Sequence, residues 1–300
     1  MVNPEGQVEP SVIPPLDPAL LRLSDEEHAF LRAAITEDEE VLKARIYDVQ
    51  KRAYEKYPYP CICAFHFVNL MMHKNTVYPS VLAAGKSDST SLLLDLGCCM
   101  GTDVRKLVRD GYPASQVLGC DLRPEYIQLG HELFGDAFTC PVRFFTSNVF
   151  DLPLPSELSA DADAIAAPPD PAAVSDLGQL RGALTHIYTG ALFHLFDEKT
   201  QYGLAVRIVT LLKRRPSGVV FGRHAGLVEE GYIDDHLGRK RYGHSESSWP
   251  RLWKKAFAEV EGEEFARRVV VEAKLEAALG AQAPVDLRRT QMLYWSVSIV

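Results

Sequence analysis

No run of apolar residues approaches the roughly 18 that a membrane-spanning helix needs, so no span is expected. A secretory leader is also missing. Met1 to Pro18 is polar and proline-rich, without a basic start followed by an apolar stretch, and the chain reads as cytoplasmic. Basic residues do not predominate: Lys and Arg number 32 against 40 Asp and Glu, a net charge of -8. That argues against nucleic acid as the main partner, because phosphate binding wants a basic face. The short cluster Arg239-Lys240-Arg241 reads as a solvated loop. The six cysteines (Cys61, Cys63, Cys98, Cys99, Cys120 and Cys140) form neither a CxxC pair nor a metal knuckle. No metal is expected. Cys61-Ile62-Cys63 reads as packing, and in a reducing compartment the thiols stay free. With no internal repeat, the 300 residues hold one large α/β domain or two small ones.

What is present begins with a polar arm over residues 1–20. Ser24-Asp25-Glu26-Glu27 is a capping box that opens a short helix. Thr36-Glu37-Asp38-Glu39 reads as a second box. It opens a longer helix with Val41, Leu42, Ile46, Val49 and Ala53 near helical spacing. Tyr57-Pro58-Tyr59-Pro60 stops that helix. A further helix is expected from Phe65 to His73, then a turn near Tyr78-Pro79. From Ser91 strands alternate with helices: strands at 91–96, 116–121, 142–147, 184–188 and 218–223, helices at 102–110, 124–134 and 197–213, and another helix from Ser248. Residues 159–176, rich in Ala, Asp and Pro, read as a mobile loop. Two strand-like runs close the chain, Arg268–Leu275 and Met292–Val300, with too short a link for a helical crossover. The pattern predicts a Rossmann-like α/β fold: five parallel strands plus a terminal antiparallel hairpin. Residues 1–85 are expected to form an arm and helical lid, and residues 86–300 the core.

The most informative stretch is Leu94-Asp95-Leu96-Gly97-Cys98-Cys99-Met100-Gly101-Thr102-Asp103. An apolar strand ends in an acid, a glycine-bearing turn follows, and a helix begins. Asp121 ends the next strand. This is a nucleoside-binding edge. The spacing is DxGxCxG rather than the GxGxxG of a dinucleotide site, and Asp103 in the first helical turn would repel a pyrophosphate while tolerating a cationic ligand. S-adenosylmethionine is therefore the expected cofactor. Asp95 would face its amino-acid end, and Gly97 and Gly101 would let the backbone pass close to it. Cys99 stands where a second glycine is usual and adds a side chain. Asp121 would accept hydrogen bonds from the ribose hydroxyls, and otherwise is a solvated strand-end acid. Leu122 would flank the adenine, with Asn148 near its amine and Val149 on the ring. Asn148 could instead be a turn former. Substrate-side candidates lie at the carboxyl edge of the sheet: His194, Arg223 and His224 as catalytic groups and Tyr188 in the pocket. Tyr59 and His66 would line the pocket from the N-terminal segment, or pack structurally.

Tyr57-Pro58-Tyr59-Pro60-Cys61-Ile62, Leu94 to Leu107 with its double cysteine, and Gly119-Cys120-Asp121-Leu122-Arg123-Pro124-Glu125-Tyr126-Ile127 together resemble a family of fungal methyltransferases. Its members belong to meroterpenoid biosynthetic clusters of the austinol and andrastin types. Phe193-His194-Leu195-Phe196 and Gly222-Arg223 fit the same pattern. The resemblance spans residues 45–258 and the C-terminal strand. It implies a class I S-adenosylmethionine-dependent fold and O-methylation of a carboxylate on a lipophilic terpenoid or polyketide-type acid. The chain departs from the family in its 159–176 segment and in Tyr188-Thr189-Gly190, where a His-Ala-Ser-like segment is expected.

A carboxylate acceptor is ionised at neutral pH and needs donors, for which Arg223, His224 or His194 would serve. A phenol or alcohol would need a base, one of those histidines. A rival reading keeps the fold without methyl transfer, as a cyclase, an isomerase or a binding protein. Oligomeric state stays open, a homodimer among the options.

Overall fold

The computed structural model describes residues 13–157, 169–214, 218–233, 239–277 and 290–300. Helices α1 (Asp25–Ala34), α2 (Glu39–Lys56), α3 (Pro60–Cys63) and α4 (Tyr78–Ser87) precede the first strand. The Ser24 capping box opens α1 as expected. The cap of α2 differs: Asp38, not Thr36, accepts the amides of Glu40 and Val41, because the shorter carboxylate sits directly before the first apolar turn. Tyr78-Pro79 starts α4 rather than making a turn, since proline fits the first helical turn, where no amide partner is needed.

The helix expected over 65–73 is instead two 3-10 turns, His66–Val68 and Met72–Lys74, entered through Phe65 at φ 59°. Their packing explains why. The amide of Leu70 donates to buried Glu27 at 3.0 Å, and those of Met71 and Met72 donate to Asp103 at 2.8 and 3.0 Å. Three consecutive amides thus go to carboxylates of other helices, and the i-4 ladder is not formed.

The core follows as β1 (Leu93–Leu96), α5 (Thr102–Arg109), β2 (Val117–Asp121), α6 (Pro124–Phe134), β3 (Arg143–Thr146), β4 (His186–Gly190), α7 (Glu198–Leu211), β5 (Val219–Gly226), β6 (Gly231–Ile233), β7 (Arg241–Gly243), α8 (Ser248–Glu261), α9 (Glu263–Ala266), β8 (Val269–Glu276) and β9 (Gln291–Ile299). The seven-stranded sheet runs β3-β2-β1-β4-β5-β9-β8. Its first five strands are parallel, and β9 is antiparallel to both neighbours. This is the expected Rossmann-like class I methyltransferase sheet. The order reverses between β1 and β4, which opens a crevice at the carboxyl ends.

Register assigns the two faces. Asp95 pairs with Gly119 and Tyr188, Tyr188 with Phe221, and Arg223 with Tyr294. With a side-chain period of two, Asp95, Asp121, Tyr188, Arg223 and Tyr294 share one face. There Leu93, Val117, Tyr188 and Phe221 pack with Tyr78, Val81, Val104 and Leu107 of α4 and α5. The opposite face, with Leu94, Ile187, Val220 and Trp295, packs on Leu204 and Ile208 of α7 and Trp249, Trp253 and Phe257 of α8. A third cluster joins α1 and α2 to α6 through Phe30, Leu42, Ile46, Leu129 and Phe134.

One local expectation fails. Arg241 is buried and begins β7, donating through Nε to the His194 carbonyl at 3.0 Å; only Lys240 of that basic cluster is exposed. The β6–β7 ribbon has strands too short to carry a periodic signal. Residues 158–168 of the segment read as a mobile loop lie outside the described residues, while Asp170 caps a 3-10 turn at Pro171–Ala173.

Glu27 is 4% exposed and accepts the amides of Ser24 and Leu70. Glu27→Ala is therefore expected to lower the unfolding free energy by about 2 kcal/mol. Glu26→Ala, which removes only exposed ion pairs to His73 and Lys106, is expected to cost under about 1 kcal/mol. Urea denaturation of both variants measures the difference.

Candidate active site

The loop after β1 is tied to the end of β2. The amides of Gly97 and Cys98 donate to the Cys120 carbonyl at 2.8 and 3.0 Å. The Cys99 amide donates to Asp121 Oδ2 at 2.8 Å, and Asp121 Oδ1 accepts from the Arg123 amide at 2.9 Å. Gly97, Cys99 and Gly101 all have positive φ, at 84°, 51° and 69°. A cysteine in that region is strained, and the Asp121 bond offsets the strain. The Cys99 thiol is raised well above the usual thiol range by burial and by Asp121, so it is a neutral wall. Asp121 is half-buried at the end of β2.

The glycines differ in what they permit. A Cβ on Gly97 would meet only Leu192, at 3.7 Å, so its face is clear for a ligand. A Cβ on Gly101 would sit 2.5 Å from Phe144 and 2.8 Å from Arg105 Nη1. Gly101 thus serves internal packing, not the close ligand approach expected of it.

Asp95 is 3% exposed and no hydrogen bond reaches its carboxylate among the described residues. Burial, then Asp103 and Asp121, push it well above the usual carboxylate range. A desolvated acid facing two more acids suits a cation and repels a phosphate. Asp103 has a second duty: its Oδ1 holds the Met71 and Met72 amides. Beside it the Thr102 hydroxyl donates to the Phe67 carbonyl. The start of α5 therefore carries both the acidic field and the N-terminal segment. This arrangement fits S-adenosylmethionine, with its ammonium and sulfonium charges, and does not fit a dinucleotide.

At the adenine end, Leu122 is 44% exposed at the rim. Asn148 is spent locally: its Oδ1 accepts from the Phe150 amide at 3.1 Å and its Nδ2 donates to Asp151 at 3.2 Å. It acts as the turn former, capping the 3-10 turn Val149–Asp151. Each of these bonds uses one of the two acceptor or donor sites on its atom. Val149 packs into the sheet core with Phe145 and Leu152.

On the substrate side the neighbours Arg223 and His224 separate. Adjacent strand residues point to opposite faces. His224 is fully buried against Trp249 at 4.4 Å and Phe193 at 5.8 Å between centroids. Its Nδ1 accepts from Trp295 Nε1 at 3.0 Å. Burial, then His244, holds it well below the usual imidazole range. The expectation that His224 acts on substrate is corrected: it is a packed core histidine on the wrong face.

Arg223 lies on the Asp95 face, 7% exposed. Its Nη1 touches Met292 Sδ at 3.3 Å and its Nε is buried without a partner. No carboxylate lies within salt-bridge distance among the described residues. Its charge is felt by Cys61, His66, Asp103, Tyr188, His194 and Tyr294, which places it where the N-terminal segment, the switch point and β9 meet. Tyr188 is buried with an unpartnered hydroxyl. His194 is half-buried with an unpartnered Nδ1, and burial, then Arg241, holds it well below its ordinary value. His66 is reached by solvent yet walled by protein, and burial, then Arg223, lowers it to about 4. Tyr59 packs on Tyr57 at 4.3 Å, with the Arg239 guanidinium 6.0 Å over its ring.

Sequence reasoning missed Cys61, Tyr294, Arg239 and Asn75. Asn75 is buried and donates to the Gly222 and Trp295 carbonyls at 3.1 and 3.0 Å, pinning the N-terminal segment to the sheet. Strand parity could have found Tyr294, opposite Arg223 once the terminal hairpin is in place; Cys61 read as packing and Arg239 as solvated, and nothing local marked Asn75.

The raised Asp95 costs stability in its charged form. For an acid whose folded value exceeds its unfolded one, stability falls as pH rises between the two. Asp95→Asn is expected to raise the melting temperature of the ligand-free protein at pH 7–8 and to weaken S-adenosylmethionine binding at least about tenfold. Binding to the parent should release a proton in that window, because a cation favours the ionised acid. Calorimetry in buffers of different ionisation enthalpy reads both effects. A ligand-free Asp95→Asn protein less stable than the parent would contradict the assignment.

With that geometry in hand, comparison with known proteins is specific. A family model described as the meroterpenoid methyltransferase N-terminal domain matches residues 16–68, and one described as a methyltransferase domain matches residues 94–167. The O-methyltransferase atr3 of Stereocaulon alpinum is 32% identical over 251 residues, covering 83% of this chain and 65% of that protein. The Asnovolin E/Chermesin D methyltransferase nvfJ of Aspergillus novofumigatus is 31% identical over 207 residues, 69% of this chain and 66% of that one. Methyltransferase adrK of Penicillium roqueforti is 28% identical over 261 residues, 85% and 86% of the two chains. The matches thus span just under two thirds of the length of the first two relatives and most of the third. The N-terminal model covers the segment that walls the cleft, and the second covers the glycine loop. By these matches the chain is similar to fungal meroterpenoid methyltransferases in both its N-terminal segment and its glycine loop.

Proposed function

We propose that the protein methylates the carboxylate of a lipophilic terpenoid or polyketide-type acid, with S-adenosylmethionine as donor. The observation that carries this reading is Arg223, a buried guanidinium with no carboxylate partner among the described residues, on the same sheet face as Asp95. An uncompensated buried cation is expensive, and a carboxylate acceptor would supply the missing charge. The cleft is polar end to end: Asp95, Asp103 and Asp121 stand on one side and Arg223 on the other. It suits a cationic donor beside an anionic acceptor.

When bound, S-adenosylmethionine supplies an electrophilic methyl group on its sulfonium. The protein's residues align the acceptor and keep water away. Asp95 and Asp121 would hold the amino-acid and ribose ends, with Gly97 and Cys99 as the loop wall. Arg223 would grip one oxygen of the carboxylate and leave the other as nucleophile, with effective concentration rather than proton transfer supplying the rate. The available imidazoles support this choice. His66 is held at about 4 and His194 well below its ordinary value, so both are neutral and only weakly basic at neutral pH. Both serve as neutral hydrogen-bonding groups, with Tyr59 and Tyr188 as pocket wall. Residues up to about 85 would act as a helical lid over the core that begins near residue 86, fixed at Glu27, Thr102 and Asp103 so that it walls the cleft and excludes water.

The test uses a panel of lipophilic acids and their alcohol counterparts, with methyl esters identified by mass and by base lability. Arg223→Ala is expected to lower kcat/KM for the accepted acid by about 100-fold or more while S-adenosylhomocysteine affinity stays within about twofold. Full activity of Arg223→Ala, or methylation of the alcohols alone, would overturn the reading. The kcat profile of the parent is expected to be flat from about pH 6 to 8, whereas a base with the ordinary imidazole value would give a rising limb near pH 6.5.

A further inference from the structure

We infer that Arg105 is the positioning residue of the glycine loop, aimed by Asp136 and His131 from behind the cofactor cleft. The inference rests on the reading of that loop as the cofactor cradle. Arg105 lies on α5, four residues past Gly101, and is 8% exposed. Its Nη1 donates to the Met100 carbonyl at 2.7 Å and to the Gly101 carbonyl at 3.1 Å. On its other edge Nε and Nη2 donate to the two oxygens of Asp136 at 2.7 and 2.9 Å. The guanidinium plane lies over the rings of Phe134 and Phe144, 4.3 and 5.0 Å from their centroids. His131 Nδ1 sits 2.8 Å from Asp136 Oδ1, and its ring meets Phe144 edge-on at 5.3 Å. A planar fork is thus held in one orientation by a bidentate carboxylate and two rings, and what it presents forward is one donor nitrogen for two loop carbonyls.

The loop is built to receive it. The atoms that a Cβ on Gly101 would strike are those of Phe144 and of Arg105 Nη1. On α6 a Cβ at Gly130 would come within 2.4 Å of the Met100 carbonyl, so the helix backbone closes on the same oxygen. Cys120 and Asp121 hold the loop from the cleft side through its amides, and Arg105 holds it from behind through its carbonyls. Both restraints act on a loop in which Cys99 sits in a left-handed conformation that a non-glycine residue would otherwise leave.

His131, Asp136 and Cys140 bring potential metal-binding atoms within 4.8 Å of one another. The cluster reads as a latch rather than a metal site. Arg105 occupies both Asp136 oxygens and sets a positive charge beside them. The 2.8 Å from His131 to Asp136 is a hydrogen bond, shorter than the roughly 3.3 Å that two ligands of a tetrahedral zinc keep.

The test is calorimetric titration of the full chain with S-adenosylhomocysteine. Arg105→Lys, which keeps charge but cannot span Asp136 and the loop, is expected to weaken binding about tenfold or more, and Asp136→Asn by a comparable factor. The double variant should be weaker than the parent by less than the product of the two, as for groups that act as one unit. Two controls fix the meaning. Ile208→Ala, in the core of the far face, should lose stability and leave the affinity unchanged. Asp121→Ala reports on the loop itself. If Arg105→Lys and Asp136→Asn lose stability yet bind with the parent's affinity while Asp121→Ala binds weakly, the positioning role is overturned and the cradle reading stands. If Asp121→Ala also binds normally, the cradle reading fails and this inference falls with it.

Discussion

The 2.8 Å hydrogen bond from the Cys99 amide to the Asp121 carboxylate joins the loop after β1 to the tip of β2, and much of the cleft follows from it. It holds a non-glycine residue at φ 51° and sets where the loop backbone can run. The same loop delivers Thr102 and Asp103 at the start of α5, and these seat the N-terminal segment by its carbonyl and amides. Without the loop in this shape, neither the cradle nor the wall opposite it would form.

Strand parity then sorts the chemistry. Asp95, Asp121, Tyr188, Arg223 and Tyr294 fall on one sheet face because register and period-two alternation put them there. The neighbouring positions face a core of Trp249, Trp253 and Trp295. Two acids desolvated near the switch point and one guanidinium desolvated two strands away give the cleft opposite charges at its two ends. Each is costly alone in a protein of marginal stability. Asp95 has no hydrogen-bond partner and Arg223 no carboxylate partner among the described residues, whereas Asp103 is held by two backbone amides; strongly perturbed groups of this kind are candidates for ligand contacts.

The sequence disclosed what periodicity and short motifs encode. The alternation of strands and helices after Ser91, the terminal hairpin, the acid at 95 and the acid at 121 all depend on local pattern, and local pattern is what a strand end preserves. It misjudged positions whose surroundings come from elsewhere in the chain. Asn148 and His224 are polar residues at strand ends, and only the packed structure shows one consumed by a turn and the other enclosed in indole rings. The helix expected at 65–73 failed for the same reason. Glu27 and Asp103 from distant helices took the amides that the helix needed. Arg241 looked solvated beside Arg239 and Lys240, although a two-stranded ribbon carries it into the interior.

One consequence of this wiring concerns how the lid and the donor site communicate. Asp103 carries two loads: its charge adds to the field at Asp95, and its Oδ1 holds the Met71 and Met72 amides. A cation bound at Asp95 relieves the repulsion between the acids and so stabilises the charged form of Asp103, the form that accepts those amides most strongly. Donor binding and seating of the 67–72 segment are therefore coupled through a single carboxylate, and by linkage each must favour the other. Arg223, whose charge also pulls Asp103 toward its ionised form, joins the acceptor end to the same group. The N-terminal segment is anchored on Asp103, a carboxylate that also contributes to the field at Asp95.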